Sequence, residues 1–173
     1  GKSYSALAHL SESVDAFVAM SEALRKKGLS APHILAQDLD HGLLIVEDLG
    51  SEGVVAQGQI INERYETAVD VLAKLHRQIL PLRLPVKGGE DHVLPFYDLD
   101  ALGIETELLL DWYIPHHLGR ELSANARSQF VVLWRQILTP VTEQDPVWTL
   151  RDYHSPNLLW LGHREGIKRI GLI

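Results

Sequence analysis

The 173-residue sequence predicts an α+β fold, because segments with helical and strand-like patterns are grouped along the chain and do not alternate regularly. Their order is a helix, a β-hairpin, a linker, a group of helices, and then short strands around a polar loop. With 46% apolar and 23% charged residues, the composition is that of a globular protein. The length suffices for one domain with a substantial core.

The first helix is predicted over residues 13–27. Ser13 is suited to the N-cap, and Gly28 to the position at which the chain leaves the helix. The basic pair Lys26 and Lys27 suits the negative C-terminal end of the helix dipole. The apolar residues of this segment fall at near-helical spacing: Val14, Phe17, Val18 and Leu24.

A β-hairpin follows, with strands predicted over 33–37 and 43–47. The residues between them, 38–42, have turn chemistry, and Gly42 can adopt a positive φ. The second strand is apolar without alternation, which predicts that both of its faces are buried. Residues 48–53 break this pattern and predict a linker.

Three helices are predicted in the middle of the chain. The first ends at Pro81 and carries an apolar stripe of Tyr65, Ala68, Val69, Leu72, Leu75, His76 and Ile79. Residues 81–92, rich in Pro, Gly and charge, predict a loop. The second helix covers about 98–113 and stops before Pro115.

The third helix begins near Ser123 and stops at Pro140. Its predicted inward face consists of Phe130, Val131, Trp134, Ile137 and Leu138. The helical spacing of Trp112, Tyr113 and Trp134 favours the core over a stacking platform. Short strands are predicted over 147–150, 158–161 and 168–173.

Charge and composition narrow the classes of partner. The net charge of −7 argues against a nucleic-acid surface, which would show clustered Lys and Arg. No apolar run reaches the length of a membrane span, and the N-terminus lacks the apolar core of a signal peptide. The absence of Cys excludes disulfides and thiolate metal sites. We therefore expect a cytoplasmic protein without nucleic-acid or membrane partners.

The polar loop at 150–157 carries the residues most suited to chemistry. Its sequence is Leu-Arg-Asp-Tyr-His-Ser-Pro-Asn, and an apolar run follows at once. Asp152 could accept the proton of an attacking hydroxyl, while Asn157 holds a Mg²⁺ that bridges the phosphates of a donor. The spacing follows the kinase pattern Asp-x-x-x-x-Asn. A simple turn is the alternative, because Asp, Ser, Pro and Asn are common turn formers.

These residues resemble the catalytic loop of the aminoglycoside phosphotransferase/choline kinase family, small-molecule relatives of protein kinases. That loop has the form His-Gly-Asp-x-His-x-x-Asn, and residues 150–157 match it with Leu150 in place of the first His. The pair Arg151 and Asp152 instead resembles protein kinases. Residues 44–50 resemble the strand and hinge of the family, and residues 158–173 look closest to the bacterial branch that phosphorylates N-acetylated amino sugars.

The resemblance implies a protein-kinase-like two-lobe fold, with a partial N-terminal lobe over 1–50 and a helical C-terminal lobe over 51–173. It implies ATP, or another nucleoside triphosphate, and Mg²⁺ as cofactors, and a small molecule with a hydroxyl group as acceptor. The backbone of Glu47, Asp48, Leu49 and Gly50 would meet the adenine ring.

In the catalytic loop, the resemblance makes Asp152 the base and Asn157 the metal ligand. His154 would contact the acceptor or stabilise the loop, and stabilisation is favoured because a catalytic Asp needs its orientation fixed. Arg151 would pair with a phosphorylated segment or with a nearby carboxylate, and the local ion pair is favoured.

Two parts of the family pattern have no match in the sequence. The phosphate-binding loop and its Lys would precede the first helix, and a second metal-binding Asp would follow Ile173. Glu12 and Asp15 are both open as the acidic partner of that Lys. We therefore expect a fragment of a longer kinase. A non-catalytic, pseudokinase-type binding module is the alternative, and an unrelated helical protein with an incidental Asp-x-x-x-x-Asn turn is a third possibility.

Overall fold

The computed structural model describes Ser11 and residues 13–173. From residue 13 onward, the chain forms two compact units, one of residues 95–146 and one of residues 13–94 with 147–173. The chain contains helices and strands, and the strands pair in antiparallel fashion, as expected for the predicted α+β fold. Glu12, one candidate for the acidic partner, lies outside the described residues.

The discontinuous unit contains two α-helices and four antiparallel strand pairs. The helices are α1 (Asp15–Lys26) and α2 (Asn62–His76). The pairs are β1 (Ile34–Asp38) with β2 (Leu43–Val46), β3 (Val55–Ala56) with β4 (Gln59–Ile60), β5 (Arg83–Leu84) with β6 (His92–Val93), and β7 (Leu158–Trp160) with β8 (Ile170–Leu172).

The predicted first helix is confirmed. The Ser13 hydroxyl accepts a hydrogen bond from the Asp15 N–H at 3.0 Å, although it lies one position before the assigned cap, Val14. Gly28 has a φ of +80°, which Gly adopts without strain, and the Leu29 N–H reaches back to the Leu24 carbonyl at 3.1 Å. Val18 and Leu24 lie in the core, whereas Phe17 is partly exposed.

The predicted hairpin is also confirmed, with Gly42 at a φ of +67° in its turn. The expectation that both faces of its second strand are buried is wrong, because Leu43 and Ile45 are each 63% exposed. β1 and β2 form a two-stranded sheet, and Leu44 and Ile34 pack on the core from one face only. A continuous apolar run cannot by itself show which face is covered.

The core of this unit joins α1, α2 and the β7–β8 pair. Its fully buried side chains include Val18, Val71, Leu75 and Ile170. The predicted stripe of α2 holds at Ala68 and Leu75, but Val69 is exposed and Val71 is buried in its place. Burial of these apolar side chains is the main stabilising contribution to the unit.

The segment predicted as a linker is ordered against β7. Gly53 forms an isolated antiparallel bridge with Leu159. The Arg64 side chain holds this segment through a bond to the Gly53 carbonyl at 2.6 Å and an ion pair with Glu52. Arg64 and Arg169 each also lie 5.0 Å from the ring centre of Trp160, within the range of a cation–π interaction.

The predicted strand at 147–150 is absent from the described structure, where this segment is irregular. None of the strands between residues 13 and 173 pairs with it. Trp148 in this segment is nevertheless anchored, because it is buried and its indole N–H donates to the Pro81 carbonyl at 2.9 Å. The apolar run therefore contains one buried residue, Trp148, but it predicted neither the backbone geometry nor the exposure of Val147.

The unit of residues 95–146 is helical. It contains α3 (Leu99–Leu108), a π-helical turn (Leu109–Tyr113), α4 (Ile114–Leu118) and α5 (Ala124–Thr142). The predicted starts of the second and third helices are confirmed, and a side chain caps each one: the Asp98 carboxylate accepts from the Ala101 N–H at 2.9 Å, and the Ser123 hydroxyl from the Ala126 N–H at 3.2 Å.

Three expectations for these helices are wrong. Helical structure continues through Pro115, which occupies the first turn of α4 and needs no N–H partner there. Pro140 lies inside the last turn of α5 and does not stop it. Trp112 and Tyr113 are 63% and 50% exposed, and each stacks on a histidine one turn later. The predicted face of α5 is half-buried except at Ile137, which is exposed.

The predicted lobe boundary after residue 50 stays a prediction. The division into compact units groups the hairpin with the polar loop, and separates residues 95–146. Within the described part of the chain, no helix is both long and apolar enough to span a bilayer.

Candidate active site

The polar loop is anchored to α2 by Tyr153. The Tyr153 hydroxyl donates to the Ala68 carbonyl at 2.7 Å, and burial raises the pKa of this phenol. The ring also packs against the core cluster. Because Tyr153 directly follows Asp152, this anchor restricts where the Asp152 carboxylate can lie.

Tyr153→Phe should lower the free energy of unfolding by about 1 kcal/mol, since it removes one partly buried hydrogen bond and keeps the ring. The measurement is urea unfolding, with Tyr65→Phe as the matched control because Tyr65 lies on the α2 helix that accepts the Tyr153 bond. Equal stabilities of Tyr153→Phe and wild type would contradict the anchoring role.

Arg151 has a backbone conformation that side chains rarely adopt. Its φ is +50°, in the left-handed region. Arg151 occupies the position that is Gly in the His-Gly-Asp pattern, and Gly adopts this region without strain. A strained non-Gly residue next to a reactive group is typical of functional loops. The local ion pair favoured for Arg151 stays a prediction.

The loop is closed around the backbone carbonyl of Asp152. This oxygen accepts from the His154 N–H and from the Asn157 side-chain Nδ2, both at 3.0 Å. The Asn157 N–H in turn donates to the His154 carbonyl at 2.9 Å. A hydrogen bond therefore joins the two predicted functional residues, Asp152 and Asn157. His154 contributes to the shape of the loop through its backbone.

Asp152 and Asn157 also line one cavity of about 270 Å³. Its opposite wall is largely apolar and comes from α1 and from the end of β8, including Phe17, Met20, Leu24, Leu172 and Ile173. Arg151 and Tyr153 line it too, whereas Glu47, Asp48, Leu49 and Gly50 are not among its described lining residues. The structure thus brings the loop residues together at a cavity and places the predicted hinge elsewhere in the same unit.

The donor set of the loop fits Mg²⁺ in part. The Asn157 Nδ2 is engaged by Asp152, so Oδ1 is the atom of this amide that can bind a cation. The Asp152 carboxylate is exposed on the same cavity. Mg²⁺ bound to nucleotides takes only one or two protein ligands and fills its octahedron with phosphate oxygens and water. No cluster of three or more acidic, His or Cys side chains suited to a metal occurs in the described part of the chain.

The predicted hinge residue Glu47 has an engaged side chain. Its carboxylate accepts from the His33 N–H at 3.0 Å and from the Arg164 guanidinium at 2.9 Å, and lies 3.6 Å from Arg25. Partial burial acts to raise the pKa of Glu47, but the bond from His33 and the charges of Arg164 and Arg25 outweigh it and hold the pKa below its usual value. The backbone N–H of Glu47 also donates to the His33 carbonyl at 2.8 Å.

Glu47→Gln should therefore reduce stability at pH 7 but not under acid conditions. A carboxyl whose pKa is lowered on folding stabilises the protein above its unfolded-state pKa of roughly 4.3, and this contribution is lost as the pH falls through the lower folded value. The difference in unfolding free energy between wild type and the variant should shrink between about pH 5 and pH 3. In wild type the charges of Arg25 and Arg164 and the His33 N–H face this carboxylate, whereas the Gln variant presents a neutral amide to them. A pH-independent difference would contradict the ionic role.

Residues that the sequence did not identify complete the site. Tyr153, Arg25 and Arg164 orient predicted site residues, and each does so across a long sequence separation, up to 117 residues for the Arg164–Glu47 pair. No local pattern reports such contacts. For Tyr153, its place beside Asp152 was the only available signal.

Comparison with known proteins places the chain among phosphotransferases. A family model described as "Phosphotransferase enzyme family" matches residues 2–173. An N-acetylmuramate/N-acetylglucosamine kinase of Caulobacter vibrioides is 34% identical over 98% of this chain and 47% of its own length. The kinase of the same name from Pseudomonas aeruginosa is 33% identical over 87% of this chain and 42% of its own, and that of Neisseria meningitidis is 31% identical over 80% and 40%.

The chain spans less than half the length of these curated relatives. The matched region nevertheless includes the loop with Asp152 and Asn157, the hairpin and the helices between them. The loop and the strand that leads to residues 47–50 are the segments in which the sequence resembles that family most specifically. On the match of the family model over nearly the whole chain, this protein belongs to the phosphotransferase enzyme family.

Proposed function

We propose that the protein containing this chain transfers the γ-phosphoryl group of ATP to a hydroxyl of an N-acetylated amino sugar. The observation that carries this proposal is the hydrogen bond from the Asn157 side chain to the Asp152 backbone carbonyl, in a loop where both residues line one cavity. The relatives compared above are named N-acetylmuramate/N-acetylglucosamine kinases, which favours an amino sugar over an aminoglycoside or an amino alcohol as the acceptor.

In the proposed reaction, Asp152 orients the acceptor hydroxyl and accepts its proton. The acceptor oxygen forms a bond to the γ-phosphorus, and the bond from that phosphorus to the bridging oxygen of ADP breaks. Phosphoryl transfer depends mainly on positioning and on neutralisation of charge, so the fixed geometry of the loop is the contribution of the protein.

Asn157 would hold Mg²⁺ through Oδ1, and the bound cation would neutralise charge on the phosphates. The bond from Nδ2 to the Asp152 carbonyl couples the position of this ligand to that of the base. His154, which bonds Asp152 and Asn157 through its backbone, would keep the two at a constant separation. The backbone of residues 47–50 would receive the adenine ring.

The test is phosphorylation by the complete protein with ATP and Mg²⁺. We expect ADP release that depends on N-acetylmuramate or N-acetylglucosamine, with the sugar phosphate identified by mass spectrometry. Glucosamine, an aminoglycoside and choline serve as comparison acceptors. Since ATP is the donor, we place the protein in the cytoplasm. Tight nucleotide binding without transfer to any of these acceptors would favour a pseudokinase-type binding module instead.

A further inference from the structure

Residues 47–50, which follow β2, are each held in place by their own contacts. Glu47 is held by the charges of Arg25 and Arg164 and by the His33 N–H. The Asp48 carboxylate accepts from the Gly50 N–H at 2.7 Å, which closes a turn, and Gly50 has a φ of +83°. Every residue from 47 to 50 thus has a defined role in the position of this short backbone segment.

Leu49 attaches the same segment to β8. It is buried, and a Cβ on Gly171 would lie 3.1 Å from its Cδ1. Gly171 therefore leaves the space in which the Leu49 side chain packs. Because β8 is also bonded to Ser30, through the Leu172 N–H and the Ser30 carbonyl at 2.8 Å, the contact surface for Leu49 is itself fixed.

The β7–β8 pair connects this segment to the phosphoryl-transfer loop. Asn157 directly precedes β7, and its carbonyl accepts from the Ile173 N–H at 3.3 Å, just after β8. Arg164 lies in the connection at the other end of the pair. That connection is folded on itself by bonds from the Arg164 N–H to Leu161 at 2.9 Å and from the Leu161 N–H to Arg169 at 2.7 Å.

One hairpin consequently carries Asn157 at one end and Arg164 at the other. The Arg164 guanidinium reaches the Glu47 carboxylate with only 24% and 27% of the two side chains exposed. An ion pair that is three-quarters buried and joined to a second Arg is more restrictive than an exposed pair. This ion pair therefore links residues 47–50 to the same β7–β8 pair that begins directly after Asn157.

We propose that Arg164 is a positioning residue that, through Glu47, holds the backbone of residues 47–50 where it receives the nucleotide. This inference rests on the proposed function. It assigns to Arg164 an effect on nucleotide affinity that is transmitted through Glu47. Leu49 and Gly171 supply the apolar half of the same attachment.

The experiment compares Arg164→Gln, Arg164→Lys and Glu47→Gln in the complete protein. Nucleotide affinity is measured by calorimetry with ATP and Mg²⁺ in the absence of acceptor, and kcat and KM are measured with the acceptor present. We expect Arg164→Gln and Glu47→Gln to weaken nucleotide binding on the order of tenfold, with KM for ATP raised in parallel and kcat changed far less. Arg164→Lys keeps the charge and should recover part of the affinity.

Arg83→Gln is the matched control, because Arg83 forms a more exposed ion pair, with Asp91 at 3.9 Å, in the same compact unit. The nucleotide affinity of the double variant, Glu47→Gln with Arg164→Gln, should be no lower than that of whichever single variant binds less tightly. Each substitution alone already removes the same Glu47–Arg164 ion pair. Thermal unfolding of each variant separates lost affinity from a lost fold.

Three different results would overturn the inference. If wild type and Arg164→Gln bind ATP equally while both are folded, Arg164 is not a positioning residue and the proposed function stands. If folded wild-type protein binds no nucleotide at all, the proposed function fails and the inference fails with it. Additive losses in the double variant would also contradict the inference, because they would show that Glu47 and Arg164 act separately.

Discussion

Asp152→Asn should lower kcat by about 10²- to 10⁴-fold, the range in which a positioned general base contributes to catalysis. Asn keeps the size of the side chain and leaves the backbone carbonyl, to which Asn157 and His154 bond, in place. The loop should therefore remain folded while the proton acceptor is lost. Nucleotide affinity should stay within about twofold, because residues 47–50 are attached to other parts of the unit.

The measurement is steady-state phosphorylation of the amino sugar by the complete protein, together with calorimetric ATP binding. Asp70→Asn is the matched control, since Asp70 is an exposed residue of α2 outside the cavity lining. If the kcat of Asp152→Asn equals that of Asp70→Asn, Asp152 is not the general base of the proposed mechanism. A joint loss of turnover and of nucleotide affinity would instead indicate that Asp152 supports binding.

Sequence patterns predicted the parts of the fold that are specified locally. The first helix ends at Gly28 and the hairpin turns at Gly42, and both glycines adopt the positive φ that their positions require. The helix starts expected near Asp98 and Ser123 were likewise predicted, and both residues cap their helices, since a cap depends only on residues within one turn.

Burial was predicted less well, because it depends on which elements meet. The apolar run of β2 was expected to be covered on both faces, yet Leu43 and Ile45 are exposed in a two-stranded sheet. The helical spacing of Trp112 predicted the core, yet its ring lies on the surface beside His116. Hydrophobicity and spacing report that a residue can be buried, not that a neighbouring element is present.

In the candidate site, too, the local features were predictable from the sequence and the long-range contacts were not. The spacing of Asp152 and Asn157 within one loop was visible in the sequence, and the structure brings both to one cavity. Their assigned roles stay predictions. The attachments of Tyr153 to Ala68 and of Glu47 to Arg164 cross 85 and 117 residues of sequence, so no motif in a single sequence could reveal them.

Asn157→Ala should raise the Mg²⁺ concentration needed for half-maximal activity by about 10- to 100-fold, because it removes the proposed amide ligand. It also removes the bond from Nδ2 to the Asp152 carbonyl, so a fall in kcat alone would not identify a metal ligand. The informative quantity is the Mg²⁺ dependence of the rate at saturating ATP, measured with the complete protein.

Asn157→Asp separates the two roles of this side chain. The substituted carboxylate keeps an oxygen for the metal but has no N–H for the Asp152 carbonyl, so we expect an Mg²⁺ requirement near that of wild type with a lowered kcat. Asn125→Ala, at an exposed position in α5, is the control for the loss of an amide elsewhere. If Asn157→Ala and Asn157→Asp share one Mg²⁺ dependence, equal to that of wild type, then Asn157 maintains the loop without binding the metal. If only the alanine variant requires more Mg²⁺, the side-chain oxygen of residue 157 is the ligand, because the aspartate variant retains a side-chain oxygen and the alanine variant does not.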